Sequence, residues 1–268
     1  FYSSWVSRVS EESKLLRLQF SFNGCKGDIN LIIMLKRIFD ITFSLFGLCI
    51  FSPIFLLTLI LIWIYDFQNP FYTPIRMGKG MVPFKMYKFR SMVVNADKNG
   101  VSSTSGNDKR ITPVGRLIRR YKLDEISQFI NVLKGDMSFV GPRPQVVDHV
   151  IEEYTDLERT LLNLKPGITD ISSIVFSDEG EILKDSFDPD SDYNALIRPW
   201  KSRLGIAYVN NHNFILDLKL IFITIIAIFD KNKALSFVNK ILVELNVPNE
   251  VIEVSRRKVK LVPSDLPY

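Results

Sequence analysis

Cysteine and histidine are almost missing from this sequence. Its 268 residues hold two cysteines, Cys25 and Cys49, and two histidines, His149 and His212. Two thiols with no C-x-x-C cannot build a disulfide framework. Without H-E-x-x-H or a Cys/His ligand cluster, the usual zinc and haem centres are excluded. No G-x-G-x-x-G opens a helix, and no Walker A loop or G-x-S-x-G elbow occurs, which sets aside dinucleotide enzymes, P-loop NTPases and α/β-hydrolases. Internal repeats are lacking too.

What is present is apolar and basic. Hydrophobic residues make up 47% and charged residues 24%, enough to bury a core. There are 34 Lys and Arg against 29 Asp and Glu, for a net charge of +5. The basic residues gather between 76 and 143, which favours phosphates, acidic lipid headgroups or nucleic acid as partners.

Ile41 to Tyr65 carries no charge over 25 residues. As a straight helix it would reach about 37 Å, more than the ~30 Å hydrocarbon core of a bilayer. Ser52-Pro53 cuts the run into two halves, each too short to cross alone. Lys36 and Arg37 precede it, and Arg76, Lys79, Lys85, Lys88 and Arg90 follow, so both flanks ask for the cytoplasmic side. A straight span satisfies one flank; a helix that dips in and returns satisfies both. Residues 1–33 read as an upstream extension without a catalytic role.

Residues 66–91, rich in Pro, Gly and aromatics, predict irregular, extended structure, and 93–109, with Asn99-Gly100, a mobile loop. Val114, Leu117, Ile118 and Tyr121 share one helical face, opposite Arg116, Arg119 and Arg120. A second stripe, Ile126, Phe129, Ile130 and Leu133, ends at Gly135. Gly141-Pro-Arg-Pro144 is a rigid turn, residues 148–164 read as helix and 172–176 as a short strand. Asp178-Glu-Gly-Glu181 reads as a solvated loop, 220–229 as a core or interfacial helix, and the tail from Lys231 is uninformative.

The chemistry gathers between 110 and 143, where Asp124-Glu125 lies among Arg110, Arg116, Arg119, Arg120 and Arg143. Surface ion pairs such as Arg120–Asp124 are one explanation. Phosphoryl chemistry is the other: arginines fork onto anionic oxygens, a carboxylate attacks phosphorus, and its neighbour helps hold Mg²⁺. A helix beginning near Leu123 would put Asp124 in its first turn, where the macrodipole favours the ionised form.

The order Lys36-Arg-Ile-Phe-Asp40, Ser52-Pro53, Tyr87-Lys-Phe-Arg-Ser-Met92, Arg110-Ile-Thr-Pro113, Leu123-Asp-Glu125, Asn131-Val-Leu-Lys-Gly-Asp-Met-Ser138, Val140-Gly-Pro-Arg-Pro144 and Lys165-Pro-Gly-Ile-Thr169 resembles the bacterial sugar transferases. These are small monotopic polyprenyl-phosphate phosphoglycosyl transferases. The resemblance covers roughly residues 34–230. It implies a mainly α fold with few short strands: a re-entrant membrane hairpin broken at Ser52-Pro53 (34–66), amphipathic interfacial helices and a compact cytosolic catalytic domain (67–230), then a C-terminal extension (231–268). It also implies phosphosugar transfer from a UDP-sugar to polyprenyl (undecaprenyl) phosphate at the cytoplasmic face of the bacterial inner membrane, with release of UMP.

Under that resemblance Asp124 is the nucleophile and Glu125, with Asp124, the Mg²⁺ site. Arg119 and Arg143 bind substrate phosphates, and Lys88 and Arg90 are further candidates for the same anion. A homodimer and hand-over to downstream glycosyltransferases are further expectations, and nucleic acid is not an expected partner. Tyr121-Lys122 and Ser127-Gln128 depart from the family pattern, as does Ile168-Thr-Asp-Ile-Ser-Ser173, so no sugar is assigned. Two rivals stand beside this: direct glycosyl transfer releasing UDP, and a non-enzymatic membrane adaptor binding anionic lipid or nucleic acid. An adaptor has no use for Asp-Glu inside the arginine cluster.

Overall fold

Helix α1 runs from Lys26 to Asp66, 41 residues with Pro53 inside. From Ile33 on it is long and apolar enough to cross a membrane. The computed structural model describes residues 26–96, 104–105 and 108–268, with side chains from residue 33. Most of the 1–33 extension and the Asn99-Gly100 turn lie outside the described residues.

The rest is mostly helical, with strands of two or three residues. In chain order these are β1 (Phe71–Tyr72), β2 (Ile75–Met77), β3 (Pro83–Lys85), β4 (Lys88–Phe89), α2 (Pro113–Arg120), a 3₁₀ turn (Leu123–Gln128), α3 (Phe129–Lys134), β5 (Ser138–Val140), α4 (Val147–Glu153), α5 (Asp156–Arg159), β6 (Gly167–Thr169), α6 (Ile171–Val175), α7 (Glu179–Ile182), α8 (Pro189–Asp192), a π-turn (Tyr193–Ile197), α9 (Arg198–Asn211), α10 (Phe214–Phe229), α11 (Lys231–Glu244) and α12 (Asn249–Ser255). Strands β1–β4 and β2–β3 pair antiparallel and β5–β6 parallel.

One stripe of α1 is buried: Asp40, Ser44, Gly47, Thr58 and Ile62, at helical spacing. The other faces are apolar and exposed, including Ile38, Phe46, Leu57 and Ile64. Each half is fastened to the globular part. Arg37 donates to the carbonyls of Val132 (2.6 Å) and Leu133 (2.7 Å) at the end of α3. Lys36 pairs with Asp217, which also accepts from Tyr208 Oη at 2.6 Å. Asp40 accepts from Ser138 Oγ (3.1 Å) and Phe139 N (3.2 Å). On the far half, Ile62 packs with Phe89 and Ile118, and Asp66 takes both arms of Arg90 at 2.6 Å each. Residues 49–54, around Ser52-Pro53, are exposed. Pro53 has no N–H for the Cys49 carbonyl four residues back; Ser52 Oγ donates to that carbonyl instead, at 2.8 Å.

The main core joins α6, α9, α10, α11 and α12 through side chains such as Ile171, Leu204, Leu220, Val238, Leu242 and Val251. Each aliphatic side chain fully buried there contributes about 1.5–3 kcal/mol. The segment from 231, opaque as sequence and set apart as an extension, thus supplies two helices to the main core. Helix α10 is two-sided: Leu216, Leu220 and Ile223 are buried, while Ile215, Leu218, Phe222, Ile225 and Phe229 form an exposed apolar stripe.

Three expectations change. Residues 171–175 are a helix, not a strand, because Asp170 caps it by accepting from Ser173 N at 2.7 Å. The helix expected over 148–164 breaks at Thr155, whose capping box with Glu158 starts a new one. Of the stripe Val114, Leu117, Ile118 and Tyr121 only Ile118 is fully buried; Leu117 and Tyr121 are exposed, because the second core is too narrow to cover the whole stripe.

Candidate active site

Asp124 sits in the first turn of a 3₁₀ segment rather than an α-helix. Lys122 just before it is left-handed (φ 52°), which turns the chain sharply out of α2. Ser127 Oγ donates to the carbonyls of Asp124 (3.0 Å) and Tyr87 (3.1 Å), tying this turn to the β4 segment. The Asn131 carboxamide, fully buried, accepts from Tyr87 N at 2.8 Å and donates to the Lys85 carbonyl at 2.7 Å. Asn131 thereby fixes the strand that carries Lys88. Replacing it with Ala strands two partly buried backbone groups, and we expect a loss of about 1–3 kcal/mol in unfolding free energy, read by denaturant titration.

Lys88 Nζ lies 2.7 Å from Asp124 Oδ2. Burial opposes ionisation of Asp124, but Lys88, with Arg119 and Arg143 behind it, outweighs that cost and holds the carboxyl below its usual range. Asp124 is therefore a carboxylate at neutral pH although its side chain is only 8% exposed. Glu125 faces Arg143 at 3.7 Å. Arg119 is aimed by its Nε, which donates to Ser91 Oγ at 2.9 Å.

Arg143 is placed by a close backbone crossing. A Cβ on Gly141 would stand 2.1 Å from the Lys165 carbonyl, and one on Gly167 2.1 Å from Gly141 N. Only glycine fits on either side, so Gly-Pro-Arg-Pro and Lys-Pro-Gly form one crossing where β5 meets β6.

These residues line a cleft of about 630 Å³. Lys88, Arg119, Asp124, Glu125 and Arg143 come together in it. Arg90 does not line the cleft; Asp66 and the Asn69 carbonyl (2.8 Å) engage its guanidinium. The acidic run at 178–181 is not a solvated loop: Asp178, Glu179 and Glu181 line the cleft, and Glu179 pairs with the buried Lys201. Burial pushes against the Glu179 charge as well, and Lys201, then Arg143 and Lys88, hold its carboxyl below the usual range. Sequence reasoning missed Glu179 and Lys201, which are 22 residues apart and belong to no compact motif; Arg76, Tyr193 and Asn194 also line the cleft.

The carboxylates expected to hold a metal are Asp124 and Glu125, adjacent at the cleft. Among the described residues no group of three or more His, Cys, Asp or Glu converges as a cage. Mg²⁺ rarely asks for one, taking one or two carboxylates together with substrate phosphates. Glu125, whose cation stands off at 3.7 Å, fits that pattern.

An apolar helix of bilayer length, fastened by both halves to a domain that carries a cleft of interleaved carboxylates and cations, is the architecture of a membrane-associated enzyme acting on phosphorylated substrates. Residues 31–231 match the family described as bacterial sugar transferase. The sugar transferase EpsL of Bacillus subtilis, itself uncharacterized, is 36% identical over 72% of this chain and 86% of its own length. The exopolysaccharide production protein PSS of Rhizobium leguminosarum is 32% identical over 75% of this chain and 98% of its own. The UDP-N-acetylgalactosamine-undecaprenyl-phosphate N-acetylgalactosaminephosphotransferase of Aeromonas hydrophila is 32% identical over 71% of this chain and 43% of its own longer one. The chain belongs to the bacterial sugar transferase family.

Proposed function

We propose that this enzyme transfers a sugar-1-phosphate from a UDP-sugar to undecaprenyl phosphate at the cytoplasmic face of the bacterial membrane, releasing UMP. The observation that carries the reading is Asp124, buried against Lys88 at 2.7 Å inside a cation-lined cleft. An Asp124 oxygen attacks the phosphorus bearing the sugar; the P–O bond to the bridging oxygen breaks, and that oxygen leaves with UMP. The acceptor's phosphate oxygen then attacks the same phosphorus, breaking the aspartyl–phosphate bond and restoring the carboxylate. Lys88, Arg119 and Arg143 hold the phosphate oxygens, and Lys88 orients the attacking carboxylate. Glu125 and Asp124, with donor oxygens, are the residues that would hold Mg²⁺, which offsets charge gathering on the transferred group. One site used in turn by a soluble and a lipid substrate gives ping-pong kinetics.

The exposed face of α1 and the apolar stripe of α10 support a bilayer contact that is broad and shallow. Phe39 of α1 meets Phe214 at the start of α10, their ring centroids 5.5 Å apart, so the two surfaces adjoin. Helix α1 continues as one helix through Ser52-Pro53 rather than turning there, but both its halves are fastened to one domain, which supports the re-entrant reading in which both flanks stay on one side of the membrane. In a variant lacking native cysteines, labels at 34–37 and 76–90 should react from the same side of sealed vesicles; reaction from opposite sides sinks the hairpin.

The deciding assay presents nanodisc-held enzyme with Mg²⁺, undecaprenyl phosphate and a panel of UDP-sugars. UMP release is expected from the correct donor. UDP release instead would establish direct glycosyl transfer and undo the role given to Asp124.

A further inference from the structure

The mechanism above leaves one buried cation of the cleft unused. Lys201 lies near the start of α9, has a side chain 9% exposed, and lines both the main cleft and a small inner cavity beside Arg143. Its ammonium is bonded to Glu179 and lies 5.2 Å from the centroid of the Tyr193 ring.

The same buried layer contains a saturated ion pair for comparison. Glu158 is fully enclosed and accepts from Arg198 (3.0 Å), Ser202 Oγ (2.6 Å) and Thr155 N (3.1 Å), which leaves no room for a ligand. Glu179 is held otherwise. It stands on a four-residue helix at the cleft, its side chain is 31% exposed, and Lys201 is the cation bonded to it. The residue before it, Asp178, is clamped by Lys231 (2.6 Å) and Arg257 (3.5 Å). The base of this segment is therefore fixed while the Glu179 carboxylate has water to turn toward.

We propose that Lys201 is a phosphate-binding residue and Glu179 its placeholder, a carboxylate that neutralises Lys201 between turnovers and yields it to the phosphate group of an incoming substrate. A diphosphate offers at least four non-bridging oxygens and two negative charges against the two oxygens and one charge of a carboxylate, so exchange favours the substrate. Lys201 reaches the cleft from α9, whereas Lys88 comes from β4, Arg119 from α2 and Arg143 from the turn after β5, so a diphosphate gains a fourth, independently placed contact. The inference rests on the transferase reading only for what carries the phosphate.

The test is equilibrium binding of inorganic pyrophosphate and of UDP to the full chain in nanodiscs. Lys201→Met should weaken pyrophosphate binding about tenfold or more, the loss expected for one charge-assisted contact. Glu179→Gln should tighten it, and Lys201→Arg should stay close to wild type. A purely structural pair predicts otherwise, because Glu179→Gln would then loosen the site. Unchanged binding in Lys201→Met, or unchanged or weaker binding in Glu179→Gln, overturns the proposal. If Lys201→Met alone does not fold, the double variant Lys201→Met/Glu179→Gln strands no charge and must bind as weakly as predicted for Lys201→Met. Pyrophosphate binding with these signs but no UMP release would defeat the phosphosugar reading and leave this one standing.

Discussion

Asp124→Asn should abolish turnover while the protein still folds and stays with the membrane. The substitution keeps shape and removes the attacking oxygen's charge, so the expected loss is at least about 10³-fold in kcat, the scale seen when a covalent nucleophile is removed. Binding should behave differently. Lys88 loses its partner and becomes free for substrate phosphate, so nucleotide affinity should hold or rise. A variant that keeps substantial UMP release would remove Asp124 as nucleophile, and one that loses membrane association would make its role structural.

Lys88→Met should be the next most damaging change, and its signature lies in pH. Lys88 is the strongest influence holding the Asp124 carboxyl down against burial. Without it the folded-state pKa rises, so the acid limb of the kcat/KM profile should move to higher pH. The rate at neutral pH should fall about 10²-fold or more, as when one preorganised charge contact is deleted. Stability follows the same sign. A depressed carboxyl stabilises the fold above its unfolded value near 3.8 and loses that contribution as pH falls through the lower folded value. Wild type should therefore exceed Lys88→Met by about 3 kcal/mol at pH 7, the cost of leaving a buried charge unpaired. The gap should narrow below pH 3.8. An acid limb that stays in place would show that Lys88 does not set the Asp124 charge.

The legible parts of the site were those written as short adjacent strings. Leu123-Asp-Glu125 and Gly-Pro-Arg-Pro each carry their chemistry within a few residues, and the Gly141–Gly167 crossing explains why two separate strings bring Arg143 to one place. Glu179 and Lys201 were illegible because nothing local distinguishes a cleft carboxylate from a solvated one. Only the return of α9 against the 176–182 segment makes the pair. Arg90 failed the other way: as sequence it is one more cation beside Lys88, yet the two point to different partners, Asp66 and Asp124. The 231–255 helices hid their role because their apolar residues alternate with lysines and asparagines, and their buried face is defined by α10 rather than by their own pattern.

The fork between Arg90 and Asp66 also sets a height. Asp66 is the last residue of α1, and Arg90 lies two positions beyond Lys88 along the β4 segment. The point where the chain leaves its apolar stretch is thereby geared to the lysine that grips Asp124. A bilayer thick or thin enough to drag α1 would pull on that gear, so lipid chain length becomes a rate-setting variable without touching either substrate.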